Sequence, residues 1–212
     1  MRAGTLEGLV DGLGVTGAVD LHDGRIALCI ADVSGKGMPA ALLMANLQAA
    51  VKATIFNTSR PAELCDRVNR VMWHNTAVSQ FVTFFYAVLD THTRKLTYAN
   101  AGHNEPVLLR SDGTCSRLGE GGAVLGVFED GRFDEGEVHL VPGDRVMMFT
   151  DGITEASNAA GDEFGEERLV QLLAQRRAMS APAICRTVMS GIEHFNEERF
   201  EDDATLLVLA VA

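Results

Sequence analysis

The chain predicts an α+β layered domain in which two stacked, mainly antiparallel β-sheets are flanked by pairs of helices. Three observations carry that expectation. Apolar runs bounded by Gly and acidic turns, at Ile26–Ala31, Arg145–Thr150 and Ala204–Val211, read as buried strands. Segments with an apolar stripe at helical spacing fall between groups of strands and do not alternate with them, which disfavours a doubly wound α/β sheet. The stretch from Phe81 to Leu118 switches to strand alternation, and a hairpin with apolar residues on its faces calls for a second sheet.

In chain order, the run Ile26–Ala31 leads into Asp32 and the flexible turn Ser34-Gly35-Lys36-Gly37. Pro39 suits the first turn of a helix running to about Phe56. Leu42, Leu43, Leu47, Val51 and Ile55 give this helix its stripe, and six alanines from Ala40 to Ala53 allow a neighbour to approach closely. A second helix starts near Pro61, with Leu64, Val68 and either Val71 or Met72 turned inward against the first. Val82, Phe84, Tyr86 and Val88, then Leu96 and Tyr98, alternate around a turn at Asp90 to Arg94. Short strands follow near Pro106 to Arg110 and Val138 to Val141, before the strand that holds Met147, Met148 and Phe149. Two helices, about Glu166 to Arg177 and Ala181 to Glu198, bury Leu169, Leu172, Leu173, Ile184, Val188, Ile192 and Phe195. The closing strand, Thr205 to Val211, is apolar on both sides and is expected to be central.

Composition narrows the class of function. No composition shift or Pro/Ser-rich linker divides residues 1–212, so one domain is expected. The 29 acidic and 18 basic residues give a net charge of −11, which argues against a nucleic-acid backbone or an anionic membrane as the main partner. The apolar runs are short for a bilayer span and the opening residues do not form a signal peptide, so a cytoplasmic protein is expected. Cys29, Cys65, Cys115 and Cys185 are far apart, with neither Cys-x-x-Cys nor paired His spacing. They are expected to be reduced and mostly buried, with no zinc site or disulfide framework.

The chemistry points to carboxylates. Two apolar runs end on Asp32 and Asp151, and Asp202 and Asp203 stand just before a third. Antiparallel pairing sets the end of one strand beside the start of its neighbour, so these acids are expected to meet at one edge of a sheet. Carboxylates gathered without a base between them repel one another unless a cation sits among them, and oxygen ligands alone suit Mg²⁺ or Mn²⁺. Other motifs carry less. Asp151-Gly152 taken alone is a turn dipeptide, and Gly35-Lys36-Gly37 lacks the spacing of a phosphate loop. His103, in Asn100-Ala101-Gly102-His103-Asn104, reads as a hydrogen-bonded turn residue before it reads as a general acid. Glu155 most simply steadies the turn after Asp151. No Gly-x-Ser-x-Gly elbow is present.

Four segments together resemble a known family: Asp32-Val33-Ser34-Gly35-Lys36-Gly37-Met38-Pro39-Ala40-Ala41-Leu42, Asn100-Ala101-Gly102-His103-Asn104, Phe149-Thr150-Asp151-Gly152-Ile153-Thr154-Glu155 and Asp202-Asp203-Ala204-Thr205. In this order they are similar to the PPM-type (protein phosphatase 2C-like) serine/threonine phosphatases, in the bacterial SpoIIE and RsbU-like branch. The resemblance implies an α/β/β/α phosphatase sandwich with a centre of two Mn²⁺ or Mg²⁺ ions. Asp32, the carbonyl of Val33, Asp151 and Asp202 would be its metal ligands, with Asp32, Asp151 and Asp202 the catalytic set. The implied reaction is in-line attack by a metal-bridging water on phosphoserine or phosphothreonine of a regulatory partner, such as an anti-sigma factor antagonist. Eukaryotic relatives carry a histidine in the loop that is Val33-Ser34 here, so the resemblance assigns no residue to protonate the departing oxygen, a step that solvent could perform. Such a domain commonly forms the C-terminal output module of a longer signalling protein. The first two helices follow the metal loop directly, so a partner or homodimer contact on them could be coupled to Asp32.

The sequence departs from the family at one position. A further metal-binding aspartate, expected about eighteen residues before Asp32, falls on Gly14, and the nearest acids, Asp11 and Asp20, are out of register. Either Asp11 serves from a rearranged first strand, or the centre is one carboxylate short and holds one ion in place of two. The second case describes a weak or inactive phosphatase-fold module that binds a partner.

Overall fold

The computed structural model describes residues 16–76, 80–176, 178–197 and 203–211. Along the chain run β1 (Gly17–Asp20), β2 (Arg25–Val33), α1 (Met38–Thr54), α2 (Pro61–Asn75), β3 (Val82–Asp90) and β4 (Lys95–Ala101), then β5 (Val107–Leu109), β6 (Cys115–Arg117), β7 (Gly121–Gly122) and β8 (Gly136–His139). β9 (Arg145–Phe149), α3 (Asp151–Thr154), α4 (Glu166–Gln175), α5 (Ala181–Phe195) and β10 (Leu206–Ala210) complete the order. These elements make up the expected α+β class. They fall into two compact units, one formed by Leu118–His139 with the described part of Leu13–His103, the other by Asn104–Arg117 with the described part of Leu140–Ala212.

The first unit holds a six-stranded sheet ordered β1-β2-β3-β4-β7, with β8 also pairing β4. β2 is antiparallel to both of its neighbours, and the β3–β4 hairpin forms as expected. Alternation sorts the side chains: Ala27, Cys29, Ala31 and Val33 of β2 and Val82, Phe84, Tyr86 and Val88 of β3 join Leu43, Leu47 and Val51 of α1 and Leu64, Val68 and Met72 of α2 in one core. Asp32 and Thr83 therefore belong to the opposite face. Met72, not Val71, is the inward residue of α2, and Val71 is exposed.

Two expectations for α1 are corrected. Leu42 is 60% exposed, and of the six alanines only Ala50 is buried. An alanine-rich helix has low contrast between its faces, so the sequence does not fix which side packs. With the short 3₁₀ turn that continues it, the helical stretch Met38–Asn57 reaches 20 residues, long and apolar enough by length and composition to cross a membrane, whereas the sequence runs had seemed too short. Its buried residues pack into the core of the first sheet. Asn69 of α2 is buried and ties down the 126–131 loop, accepting from the Gly126 amide (2.9 Å) and donating to the Phe128 carbonyl (2.9 Å).

The second unit holds a four-stranded sheet ordered β10-β9-β5-β6, covered by α4 and α5. Leu169 and Leu173 of α4 and Ile184, Val188 and Ile192 of α5 are buried against Val107, Met147, Phe149, Leu206 and Val208. Leu172 and Phe195 are only partly buried. Among the described residues β10 ends the strand order, so the expectation of a central position is corrected. Burial of both faces of a strand reports cover above and below it, and does not require a partner on each edge. Asp144 is fully buried and joins its own turn to the 110–111 segment, accepting from Arg110 Nη1 (2.9 Å), the Ser111 amide (2.9 Å) and the Val141 amide (3.0 Å). A carboxylate can be held there because charged and backbone donors replace its hydration.

Candidate metal centre

Asp32 sits near the end of β2, partly buried, directly opposite Thr83 of β3. Its Oδ1 accepts the Val33 amide at 2.8 Å. The ladder continues one step further, where Ser34 and Phe81 exchange bonds: the Ser34 amide donates to the Phe81 carbonyl (3.0 Å) and the Phe81 amide donates to Ser34 Oγ (2.7 Å). Gly35 and Gly37 then turn the chain at φ 93° and 78° into α1, where Pro39 fits the first turn. A strand end held by the β3 ladder through Ser34 and Phe81 thus carries Asp32 and the Val33 carbonyl.

The loop after β4 lies at the same end of this sheet. The Asn100 side chain closes it, its Oδ1 accepting the His103 amide (2.7 Å) and its Nδ2 donating to the His103 carbonyl (2.9 Å). Gly102 is required here: its φ is 68°, and a Cβ would stand 2.4 Å from the Val124 side chain. His103 is 4% exposed, and its Nδ1 lies 2.9 Å from Thr83 Oγ1.

In the second unit, Asp151 opens α3 immediately after β9. Leu206 of β10 pairs with Phe149, so the start of β10 does lie beside the end of β9, as the antiparallel argument requires. Thr150 locks this junction: its amide donates to the Thr205 carbonyl (3.1 Å), its hydroxyl donates to the Asp203 carbonyl (3.0 Å), and the same oxygen accepts the Thr205 amide (3.0 Å). Asp151-Gly152 is thus a helix start and not a simple turn. The Glu155 amide donates to the Asp151 carbonyl at 2.8 Å, closing the helical turn.

Asp32 stands on the first sheet and Asp151 on the second, so the acids are not gathered on one edge of a single sheet. Sheet membership depends on non-local pairing that strand-end spacing does not reveal. Asp202 lies outside the described residues, as do Asp11 and Gly14, and Asp203 is exposed. Asp20 is resolved: it pairs with Ile26, six positions along β2 from Asp32, about 20 Å away. It stands at the far end of the strand and does not supply the missing ligand to Asp32. Among the described residues no group of three His, Cys, Asp or Glu side chains could hold a metal. The donors that do stand at the two strand ends are carboxylate and carbonyl oxygens, a set that fits Mg²⁺ or Mn²⁺ and not zinc.

Comparison with known proteins settles the family. The profile of the family described as Stage II sporulation protein E (SpoIIE) matches residues 22–212. The chain belongs to the SpoIIE family. Phosphoserine phosphatase RsbU of Bacillus subtilis (strain 168) is 34% identical to this SpoIIE-family chain over 187 residues, covering 87% of the chain and 55% of RsbU. The SiaA-PP2C domain of Pseudomonas aeruginosa matches with a TM-score of 0.82 at 21% identity, over 92% of this chain and 79% of that one. RsbX in complex with magnesium matches with a TM-score of 0.65 at 16% identity, over 93% and 88%. The fold is therefore that of PP2C phosphatase domains. The SpoIIE-family chain spans about half the length of the curated relatives it matches.

Two structural residues of the strand ends receive no role from the sequence, although Thr150 falls inside a matching segment. Thr150 stands next to a recognised aspartate, and Thr83 is the one non-aromatic polar side chain in Val82–Leu89, an interruption that could have drawn attention to it.

Proposed function

We propose that this chain is a single phosphatase domain over residues 1–212, the output module of a longer cytoplasmic signalling protein. It hydrolyses phosphoserine or phosphothreonine on a regulatory partner protein, such as an anti-sigma factor antagonist. Asp32, the Val33 carbonyl, Asp151 and Asp202 would hold Mn²⁺ or Mg²⁺. Divalent cations held there would supply Lewis-acid activation of a water and charge neutralisation at the phosphoryl oxygens, chemistry that needs no covalent enzyme intermediate. The protein's own contribution is positioning. The observation that carries this reading is that Asp32 and Asp151, in a chain of the SpoIIE family, each sit at or just past a strand end whose backbone is hydrogen-bonded to a neighbouring segment, Asp32 through the β3 ladder and Asp151 through Thr150. Backbone bonding around each acid lowers the ordering it must undergo to bind an ion.

Hydrolysis of p-nitrophenyl phosphate or a phosphoserine protein is expected with Mn²⁺, and should stop with chelator and in Asp151→Asn. Turnover that persists in that variant rejects the assignment. One observation favours a second reading, a phosphatase-fold module that binds a partner without turnover: Asp20 stands at the wrong end of β2 to complete the ligand set. Partner binding that survives Asp151→Asn, with no phosphate released at saturating Mn²⁺, selects it.

A further inference from the structure

The Asn-Ala-Gly-His segment is left without a role by the proposed reaction, yet it is buried and bonded more completely than a loop needs. Asn100 and His103 are both 4% exposed. Asn100 fixes the His103 backbone through both atoms of its amide, and its own amide N–H donates to the Glu120 carbonyl at 2.9 Å. From that anchored position the imidazole Nδ1 lies 2.9 Å from Thr83 Oγ1. The Thr83 hydroxyl in turn lies 3.4 Å from the carbonyl oxygen of Asp32, its direct cross-strand partner. Both side chains lie on the sheet face away from α1 and α2.

We infer that Asn100, His103 and Thr83 form a bracket that orients the Asp32–Val33 peptide, and that His103 is a positioning residue and not the proton donor. This rests on the reading of Asp32 and the Val33 carbonyl as metal ligands. With the Thr83 hydroxyl proton directed to the Asp32 carbonyl, His103 Nδ1 carries the ring hydrogen and donates it to Thr83 Oγ1. The bond to Thr83 fixes the ring, and the bond from Thr83 fixes the peptide that carries one expected ligand side chain and precedes the other expected ligand carbonyl. Removal of a partner that orients a metal ligand typically costs 10–100-fold in metal affinity. An imidazole whose Nδ1 is engaged with a strand hydroxyl acts on the backbone through that hydroxyl.

The test uses Thr83→Val, which keeps the shape and removes the hydroxyl, Thr83→Ser, which restores it, and His103→Asn, which keeps a donor near the Nδ1 position. Mn²⁺ binding is read by electron paramagnetic resonance of the free ion, and exchange of the Val33 amide by NMR, which needs no metal. Thr83→Val is expected to weaken Mn²⁺ binding about tenfold or more and to speed Val33 exchange, while Thr83→Ser and His103→Asn stay within about threefold of wild type on the scale of that effect. A general-acid role for His103 gives the opposite pattern: unchanged Mn²⁺ affinity with a lowered rate and an altered basic limb of the pH profile in His103→Asn. That pattern, or a folded Thr83→Val with wild-type Mn²⁺ affinity and Val33 exchange, overturns the inference. If the wild type binds no Mn²⁺ while Val33 exchange still responds to Thr83→Val, the bracket stands and the phosphatase reading falls.

Discussion

Gly152 carries a backbone steric constraint directly beside Asp151. A Cβ at this position would stand 2.6 Å from the Asp203 carbonyl oxygen and 2.9 Å from its carbon, both backbone atoms that cannot swing aside. Gly152→Ala must therefore push apart the junction that Thr150 holds, at a cost of about 1–3 kcal/mol typical of forced overpacking. A lowered urea midpoint together with weakened Mn²⁺ dependence is expected, and unchanged values for both would contradict the account of the junction. Thiols offer a second residue-scale test. Burial pushes the Cys29 thiol up to about 12 and raises Cys65 further, whereas Cys115 is exposed, against the expectation that the thiols are mostly buried. Both buried groups hold their protons in the folded state while the unfolded chain releases them near pH 9. Their contribution to stability is thus complete below about pH 9 and lost as pH rises beyond it. Denaturant titrations should show this decline, shallower in Cys29→Ala, and native-state alkylation should label Cys115 before Cys29 or Cys65.

At the scale of elements, β1 decides what can complete the ligand set. Its antiparallel register places Asp20 opposite Ile26, at the far end of β2 from Asp32. Asp20→Asn is accordingly expected to leave the Mn²⁺ concentration dependence of phosphatase activity within about twofold of wild type, as surface changes away from special features usually do; a tenfold shift would show that this strand is misjudged. The sequence made the large elements legible because each combines period and punctuation: Pro39 and Pro61 open helices, and the alternation Val82 to Val88 marks a strand. It did not expose β1, β6 or β7, which are too short to show a period. Nor did it orient α1, whose alanines and Leu42 make the solvent side look as apolar as the packed side.

For the molecule as a whole, the candidate site was readable as chemistry but not as geometry. Asp32 and Asp151 stand at or just past strand ends, and an acidic pair precedes Ala204 in the sequence, a pattern from which oxygen ligation is expected. Their distribution over two sheets is set by pairings remote in sequence, including the β9–β10 register that brings Phe149 to Leu206. Thr83 and Thr150 illustrate the same limit, since their importance lies in what they touch. Metal binding as proposed requires both Asp32 and Asp151. That requirement is tested most directly by calorimetric titration of Mn²⁺ into the wild-type protein, Asp32→Asn and Asp151→Asn. Each single substitution, one on either sheet, is expected to abolish or severely weaken the binding seen in the wild type; full-affinity, full-stoichiometry binding in either variant would contradict a shared centre.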